Sequence, residues 1–287
     1  MLPEAFTKRM QRLLGADYDA FLDSFSRPRA VALRLNPLKT KTLPDLSGFS
    51  LRPVPWEPCG FYYDPETRPG KSAYHEAGLY YLQEASAMAP AALLDPQPGE
   101  RVLDLCAAPG GKSTQLTGRM RGRGLLVCNE INPKRAKILA SNIERLGIAN
   151  ALVLNEHPQR LQTRFAGYFD QILVDAPCSG EGMFRKEEAA VTDWSEETVR
   201  MCARRQAEIL HLASVMLRPG GRLVYSTCTF APEENEAGVS AFLRAHPDFS
   251  VEEVSAPWFS PGRPDWIENP MPGLEKTFRL MPQKLLG

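Results

Sequence analysis

The chain has 287 residues, 34 Lys+Arg against 34 Asp+Glu for a formal net charge of zero, and 43% hydrophobic residues, which reads as a soluble globular protein of one large or two ordinary domains. Its longest apolar runs fall well short of the roughly 18 residues of a membrane span, and no basic, apolar leader opens it, so neither a span nor a secretory signal is expected. The cysteines at 59, 106, 128, 178, 202 and 228 include no C-x-x-C pair, which argues against a zinc site or a disulfide framework and for reduced thiols in the cytoplasm.

Leu2-Pro3-Glu4 puts Pro and an acid in the first turn of a helix, and Phe6, Met10, Leu13 and Leu14 recur at helical spacing up to Gly15. A second short helix carries Tyr18, Phe21, Leu22 and Phe25. Residues 30–36 alternate as a strand, with Val31, Leu33 and Leu35 on one side and Arg34 and Asn36 on the other, so Arg34, and Lys39 beyond it, read as a solvated face. Residues 1–75 hold 11 Lys+Arg against 8 Asp+Glu and the remainder 23 against 26, a basic lean confined to the front. Residues 51–75 are rich in Pro and aromatics and read as short strands and a linker. Tyr80 to Ser86 opens a helix that runs to Leu94. From Arg101 strands at 101–106, 124–129, 151–154, 170–175 and 221–227 alternate with helices from 112, at 133–146, at about 195–217 and at about 232–245. That alternation predicts an α/β fold, a parallel sheet with helices on both faces, preceded by a small α+β N-terminal domain.

The stretch VLDLCAAPGGKSTQ, Val102 to Gln115, reads as a buried strand, a tight turn and the first turn of a helix, which gathers backbone N–H groups and a positive helix end at one spot. Gly111-Lys112-Ser113 imitates the end of a phosphate loop, but the first glycine of that loop would fall on Cys106, whose side chain obstructs the wrap around a phosphate. The dinucleotide fingerprint is also absent, since Gly110 and Gly111 are adjacent. What remains is a strand, turn and helix for a less phosphorylated ligand, and with Asn129-Glu130 ending the next apolar run, where an acid grips a ribose diol in doubly wound folds, adenosine carrying an amino-acid tail fits both halves. Three loops converge at the strand ends: Cys106 to Lys112, Asp175-Ala176-Pro177-Cys178, and Ser226-Thr227-Cys228.

DLCAAPGGKSTQL, NEINPKRAKIL, DAPCSGEGMFRK and YSTCTFAPEENE, in this order and spacing, resemble the Sun-family RNA cytosine-5 methyltransferases, most closely the F-type subgroup that acts on bacterial 16S ribosomal RNA. LPEAFTKRM, RLNPLK and YYLQEASAM extend the resemblance over nearly the whole chain. It implies a Rossmann-like S-adenosylmethionine-dependent methyltransferase sheet in residues 76–287 and an RNA-binding domain and linker in residues 1–75. The family's sheet closes with a further strand beyond a segment like Lys276 to Pro282, so the resemblance leaves two readings, a piece of a longer protein or a sheet edge finished differently.

The resemblance assigns Cys228 as the nucleophile that adds to cytosine carbon 6, Cys178 as the thiol that assists release, and Asp175 as the group that meets the N3/N4 edge of the base. S-adenosylmethionine is expected on Cys106, Ala107, Ala108, Pro109, Gly110, Gly111 and Lys112, with Asp175 beside them and Glu130 on the ribose. His157 stands where the family carries an adenine-binding aspartate, with Asn155 and Glu156 as substitutes. Arg34, Asn36, Lys39, Arg185 and Lys186 are the expected RNA contacts, the last two fixing the phosphate of an extruded nucleotide. Glu233-Glu234-Asn235 reads as the first turn of a helix. No metal is expected, and the chain is expected to act as a monomer away from membranes. The substrate expected is ribosomal RNA; transfer RNA and an RNA-binding or ribosome-assembly module without turnover are the alternatives.

Overall fold

The structure is a computed structural model, and it describes residues 2–40 and 45–285. Among the described residues the chain runs α1 (Glu4–Leu14), α2 (Tyr18–Ser24), β1 (Ala32–Leu35), β2 (Arg52–Val54), β3 (Glu57–Tyr62), α3 (Ala73–Glu76), β4 (Tyr80–Leu82), α4 (Ala85–Leu94), β5 (Arg101–Asp104) and α5 (Gly111–Arg119). It continues through β6 (Leu125–Asn129), α6 (Pro133–Arg145), β7 (Ala151–Leu154), α7 (Pro158–Phe165), β8 (Phe169–Asp175), α8 (Glu188–Thr192) and α9 (Glu196–Met216). β9 (Leu217–Ser226), α10 (Glu236–Ala245), β10 (Ser260–Pro261) and β11 (Phe278–Arg279) complete it. Residues divide into two compact units: a sheet unit of Ala30–Asp175 with Leu212–Ser226, and a thiol unit of residues up to Arg29, Ala176–His211 and Thr227 onward. No described helix is long and apolar enough to cross a membrane.

In the sheet unit Val102, Leu103, Leu126, Val127, Ile172, Leu173 and Val174 are fully buried. Strands apolar on both faces must be covered on both, which selects a parallel sheet, and the order is β7-β6-β5-β8-β9 with every pairing parallel. The chain winds outward from β5 through β6 and β7, then returns to add β8 and β9 on the other side. The strand order therefore reverses between β5 and β8, and the ends of those two strands carry the loop after Asp104 and the carboxylate of Asp175. β9 is an edge, paired with β8 alone among the described residues.

An antiparallel sheet of order β2-β3-β1-β4 completes the unit. Tyr80 to Leu82, expected as the start of a helix, is a strand, with Leu33 opposite Leu82 and Leu35 opposite Tyr80. Two tyrosines suit a pleated, half-buried surface, and the Tyr80 hydroxyl donates to Pro69 O at 2.7 Å, so the helix starts only at Ala85. α7 was not expected from the sequence at all; Pro158 at its first position and buried Leu161 define it.

The expected solvated face of β1 is corrected. All four strand residues are buried, and Arg34 is 2% exposed. Its guanidinium donates to Gln83 Oε1 at 2.9 Å, and to Gly111 O at 3.0 Å and Thr114 Oγ1 at 2.7 Å in the first turn of α5. Burial pulls its pKa down to about 10. Asn36 Nδ2 donates to Gly78 O and Leu146 O, each at 2.9 Å, and Lys39 Nζ to Ala77 O and Arg145 O, each at 2.8 Å. Both thus satisfy carbonyls at the end of α6, where a helix leaves them without partners and favours a cation. Arg34 and Asn36 are buried inside the sheet unit and are not turned to an RNA phosphate, whereas Lys39 is exposed, as its solvated reading expected.

Replacing Arg34 with Met leaves three buried acceptors short of a donor, each costing about 1–3 kcal/mol less the desolvation relieved. Urea unfolding should show Arg34→Met destabilised by about 2–4 kcal/mol, with the salt dependence of RNA binding by the folded protein unchanged. An unshifted midpoint with a flattened salt dependence would restore the surface reading.

Candidate active site

In the sheet unit the turn after β5 ends at Gly110, whose φ of 110° is open to glycine at little cost, and α5 begins at Gly111. A Cβ on Gly110 would lie 3.1 Å from Leu139 Cδ1, so the turn sits directly on α6. Arg135 Nη2 donates to Ala108 O at 2.7 Å and Asn142 Nδ2 to Pro109 O at 2.9 Å, fixing the turn by its carbonyls and leaving the helix N–H end open. Glu130, 4% exposed, accepts from Asn132 N at 2.9 Å and lies 3.4 Å from Arg135 Nη1. Arg135 therefore joins the turn to the end of β6, a role that sequence reasoning missed. Asn155 Nδ2 donates to Glu130 O at 2.7 Å and Ile131 O at 2.9 Å, which draws the loop after β7 toward Glu130. His157 is exposed at the start of α7, its carbonyl accepting from Arg160 N at 2.9 Å.

At the switch point Lys112 Nζ donates to Asp175 Oδ2 and Ser226 Oγ to Asp175 Oδ1, both at 2.7 Å. The pair stays partly open, with side-chain exposures of 17% for Lys112 and 33% for Asp175. Asp104 was not singled out from the sequence and is fully buried there. Its Oδ2 accepts from Ser113 Oγ at 2.7 Å, whereas Oδ1 has no side-chain partner among the described residues. An acid inside an apolar strand is the signal that would have found it, since burying a carboxyl costs free energy that only a purpose offsets.

A buried carboxyl, the N-terminus of α5 and a buried acid at the end of β6 suit the ammonium and carboxylate of an amino-acid tail and the diol of a ribose. The residues present fit adenosine with an amino-acid tail. Cys106 is pushed above its ordinary pKa, chiefly by burial, and so belongs to the wall of this site as a neutral thiol.

The thiol unit holds the two expected cysteines side by side. Cys178 Sγ lies 3.1 Å from Cys228 Sγ and accepts from Cys228 N at 3.3 Å. Cys228 is exposed and Cys178 half-buried. The hydrogen bond with Cys228, then burial, raise Cys178 well above the ordinary thiol range, so Cys178 keeps its proton beside the accessible sulfur. The glycine-rich loop closes against this pair: Gly182 N donates to Cys228 O at 2.8 Å, and a Cβ on Gly182 would stand 2.9 Å from that oxygen. No larger residue fits there without moving the Cys228 backbone.

Two glutamates brace the loops. Glu181, fully buried, accepts from Arg9, from Trp194 Nε1 at 3.0 Å and from Phe230 N at 3.0 Å. α1 delivers Arg9 because Phe6 and Met10 pack with Phe21, Phe184 and Trp194, Phe6 and Phe184 edge to face at 5.1 Å. The expected helical first turn at Glu233 to Asn235 is corrected: α10 begins at Glu236, and Glu234 is fully buried, accepting from Ser179 N at 3.0 Å and Gln206 Nε2 at 2.7 Å. Asn235 accepts from Thr227 Oγ1 at 2.7 Å and donates to Thr229 O at 3.0 Å and Ala231 O at 2.9 Å, lacing the loop that carries Cys228. Arg185 Nη2 donates to Arg27 O at 3.2 Å and Lys186 Nζ lies 3.7 Å from Met183 Sδ, both side chains half-buried.

Residues 91–284 match the family model described as 16S rRNA methyltransferase RsmB/F, and residues 2–85 that for the N-terminal domain of 16S rRNA methyltransferase RsmF. The chain belongs to the RsmB/F family. It is 42% identical over 248 residues to the ribosomal RNA small subunit methyltransferase F of Salmonella paratyphi B, covering 82% of this chain and 52% of the relative. The protein of the same name from Escherichia coli O127:H6 is 39% identical over 259 residues, covering 86% of this chain and 54% of the relative. The chain spans about half the length of the curated relatives it matches. A methyltransferase homolog protein from Pyrococcus horikoshii superposes with a TM-score of 0.84 at 30% identity, covering 98% of this chain and 90% of that one.

Burial, moderated by the Ser113 hydrogen bond and reinforced by the charge of Asp175, pushes Asp104 up to about 7 from 3.8. A carboxyl raised by folding binds a proton that the unfolded chain releases, so its contribution is complete below pH about 4 and is lost as pH rises through about 7. Thermal or urea unfolding should show the wild type losing on the order of 4 kcal/mol between these pH values relative to Asp104→Asn. Parallel stability curves would contradict the buried, raised carboxyl.

Proposed function

We propose that the chain is the methyl-transferring part of an enzyme that makes 5-methylcytosine in small-subunit ribosomal RNA through a covalent cysteine adduct. The observation that carries this reading is the pair of thiols 3.1 Å apart, one accessible and one holding its proton. Carbon 5 of cytosine is a poor nucleophile until a sulfur adds at carbon 6, and the sulfur must later leave, so one thiol to attack and one to assist departure match the chemistry. Membership in a family of ribosomal RNA methyltransferases supports the substrate class.

The cofactor on this reading is S-adenosylmethionine, held by Cys106 to Lys112, by Asp104 and by Glu130. Bound there, it supplies an electrophilic methyl group on a sulfonium. Cys228 loses its proton to solvent as its sulfur adds to carbon 6, and the carbon 5–carbon 6 π pair moves onto carbon 5, which takes the methyl group. Asp175, steadied by Lys112 and Ser226, accepts a hydrogen bond from the N4 edge and stabilises the charge that develops on the ring. After methylation the carbon 5 proton passes to the Cys178 sulfur as that thiol gives its own proton to Cys228. The C–H pair becomes the carbon 5–carbon 6 double bond, the carbon 6–sulfur pair returns to Cys228, and both thiols are restored.

His157, Asn155 and Glu156 contribute to the adenine end, with Asn155 already tied to the Glu130 backbone. RNA contact falls to the basic front, residues 1–75, through exposed side chains such as Lys39 and not through the buried Arg34 and Asn36, and to Arg185 and Lys186 near the glycine-rich loop. Six free cysteines agree with a reducing, cytoplasmic setting.

The test supplies methyl-labelled S-adenosylmethionine and unmodified small-subunit ribosomal RNA or bulk transfer RNA, followed by digestion to nucleosides. Label in 5-methylcytidine from ribosomal RNA, lost in Cys228→Ala, is the expected result. Label only from transfer RNA would move the substrate; label in another nucleoside would refute the chemistry. Cofactor binding by calorimetry without label in either RNA would mark a module without turnover.

A further inference from the structure

We propose that Glu234 is a positioning residue for release: through Ser179 and Gln206 it holds the Cys178 loop so that the Cys178 thiol faces the departing Cys228 sulfur. This rests on the reading of Cys178 as the releasing thiol. The loop is fastened on both sides of Cys178. Gln206 Nε2 donates to Pro177 O at 3.0 Å, on one side, and the Glu234 carboxyl accepts from Ser179 N at 3.0 Å, on the other. The same Gln206 Nε2 donates to Glu234 at 2.7 Å, so the two side chains form one clamp straddling the cysteine. Ser179 Oγ lies 2.8 Å from Thr229 Oγ1, which joins the clamp to the residue after Cys228. The clamp backs the direct bond from Cys228 N to Cys178 Sγ by fixing the backbone on each side of Cys178, and a hydrogen bond between sulfurs is lost with a displacement of under about 1 Å.

Glu234 is fully buried, and burial raises its pKa. The clamp asks for an acceptor oxygen and not for a charge, because both of its partners are N–H donors. A glutamine retains that acceptor; a leucine of similar size does not. Positioning and electrostatics therefore separate: a charge acting on Cys178 would be lost in both variants, a clamp only in the leucine one.

The experiment compares wild type, Cys178→Ala, Glu234→Leu, Glu234→Gln and Gln206→Ala, incubated with S-adenosylmethionine and unmodified small-subunit ribosomal RNA. It reads both turnover and the fraction of chain in the slow, RNA-linked band of a denaturing gel. Glu234→Leu should accumulate about tenfold more adduct than wild type, approaching Cys178→Ala, while Glu234→Gln returns to within about threefold of wild type in both readouts. Gln206→Ala, which leaves the Glu234 acceptor in place and guards against a Glu234→Leu chain that does not fold, should show the same adduct at a lower level. A folded Glu234→Leu chain that turns over without adduct, or an equal defect in the Gln and Leu variants, overturns the proposal. Absence of adduct in Cys178→Ala itself shows instead that the reading of the thiols has failed, and the inference falls with it.

Discussion

Burying a carboxyl group costs free energy that N–H or O–H donors offset, and in this protein those donors come from the segments beside the candidate chemistry. Asp104 takes Ser113 at the head of α5, Glu130 takes the amide of Asn132, Glu181 takes the amide of Phe230, and Glu234 takes the amide of Ser179. Each acid lies at 0–4% exposure, so each bond forms where water does not compete. Loops are ordinarily the mobile part of a fold. Here the cost of burying an acid is converted into fixed backbone positions beside Cys178, Cys228 and the turn after β5.

The same economy explains the inward turn of Arg34 and Asn36 and the anchoring of the exposed Lys39 beside them. Arg34 spends its donors on Gln83 and the first turn of α5, while Asn36 and Lys39 satisfy the last carbonyls of α6. The two helices that flank the turn from Cys106 to Gly110 are thus tied to the antiparallel sheet at complementary ends, one at its start and the other at its finish. A change in that small sheet reaches the turn after β5 through these hydrogen bonds.

Much of this was legible in the sequence, for reasons that differ from element to element. β5, β6 and β8 stood out because strands buried on both faces are short unbroken apolar runs, and α6 because Asn132 and Pro133 open it and Gly147 follows it. The cysteine loops were visible through ordered motifs, and the structure sets their sulfurs in contact. Arg34 and Asn36 were misread because period-2 alternation assumes one wet face, and β1 has none. Tyr80 to Leu82 was misread because three residues carry no period, and only pairing with β1 decides for a strand. Glu181 was passed over, and Glu234 was misread as part of a helix's first turn, because their partners lie far along the chain, where no local pattern can register them. An acid set among small and apolar residues near a motif cysteine is the trace they leave.

The account stands or falls on which sulfur attacks. Ribosomal RNA carrying fluorine at cytosine carbon 5 offers no proton to remove after methylation, so the adduct persists in the wild-type chain with both thiols present. Digesting that complex with nuclease and protease and locating the modified peptide by mass spectrometry identifies the nucleophile directly. The account predicts a methylated fluorocytidine nucleotide on Cys228 and an unmodified Cys178. The nucleotide on Cys178, or an adduct on neither cysteine, would contradict it.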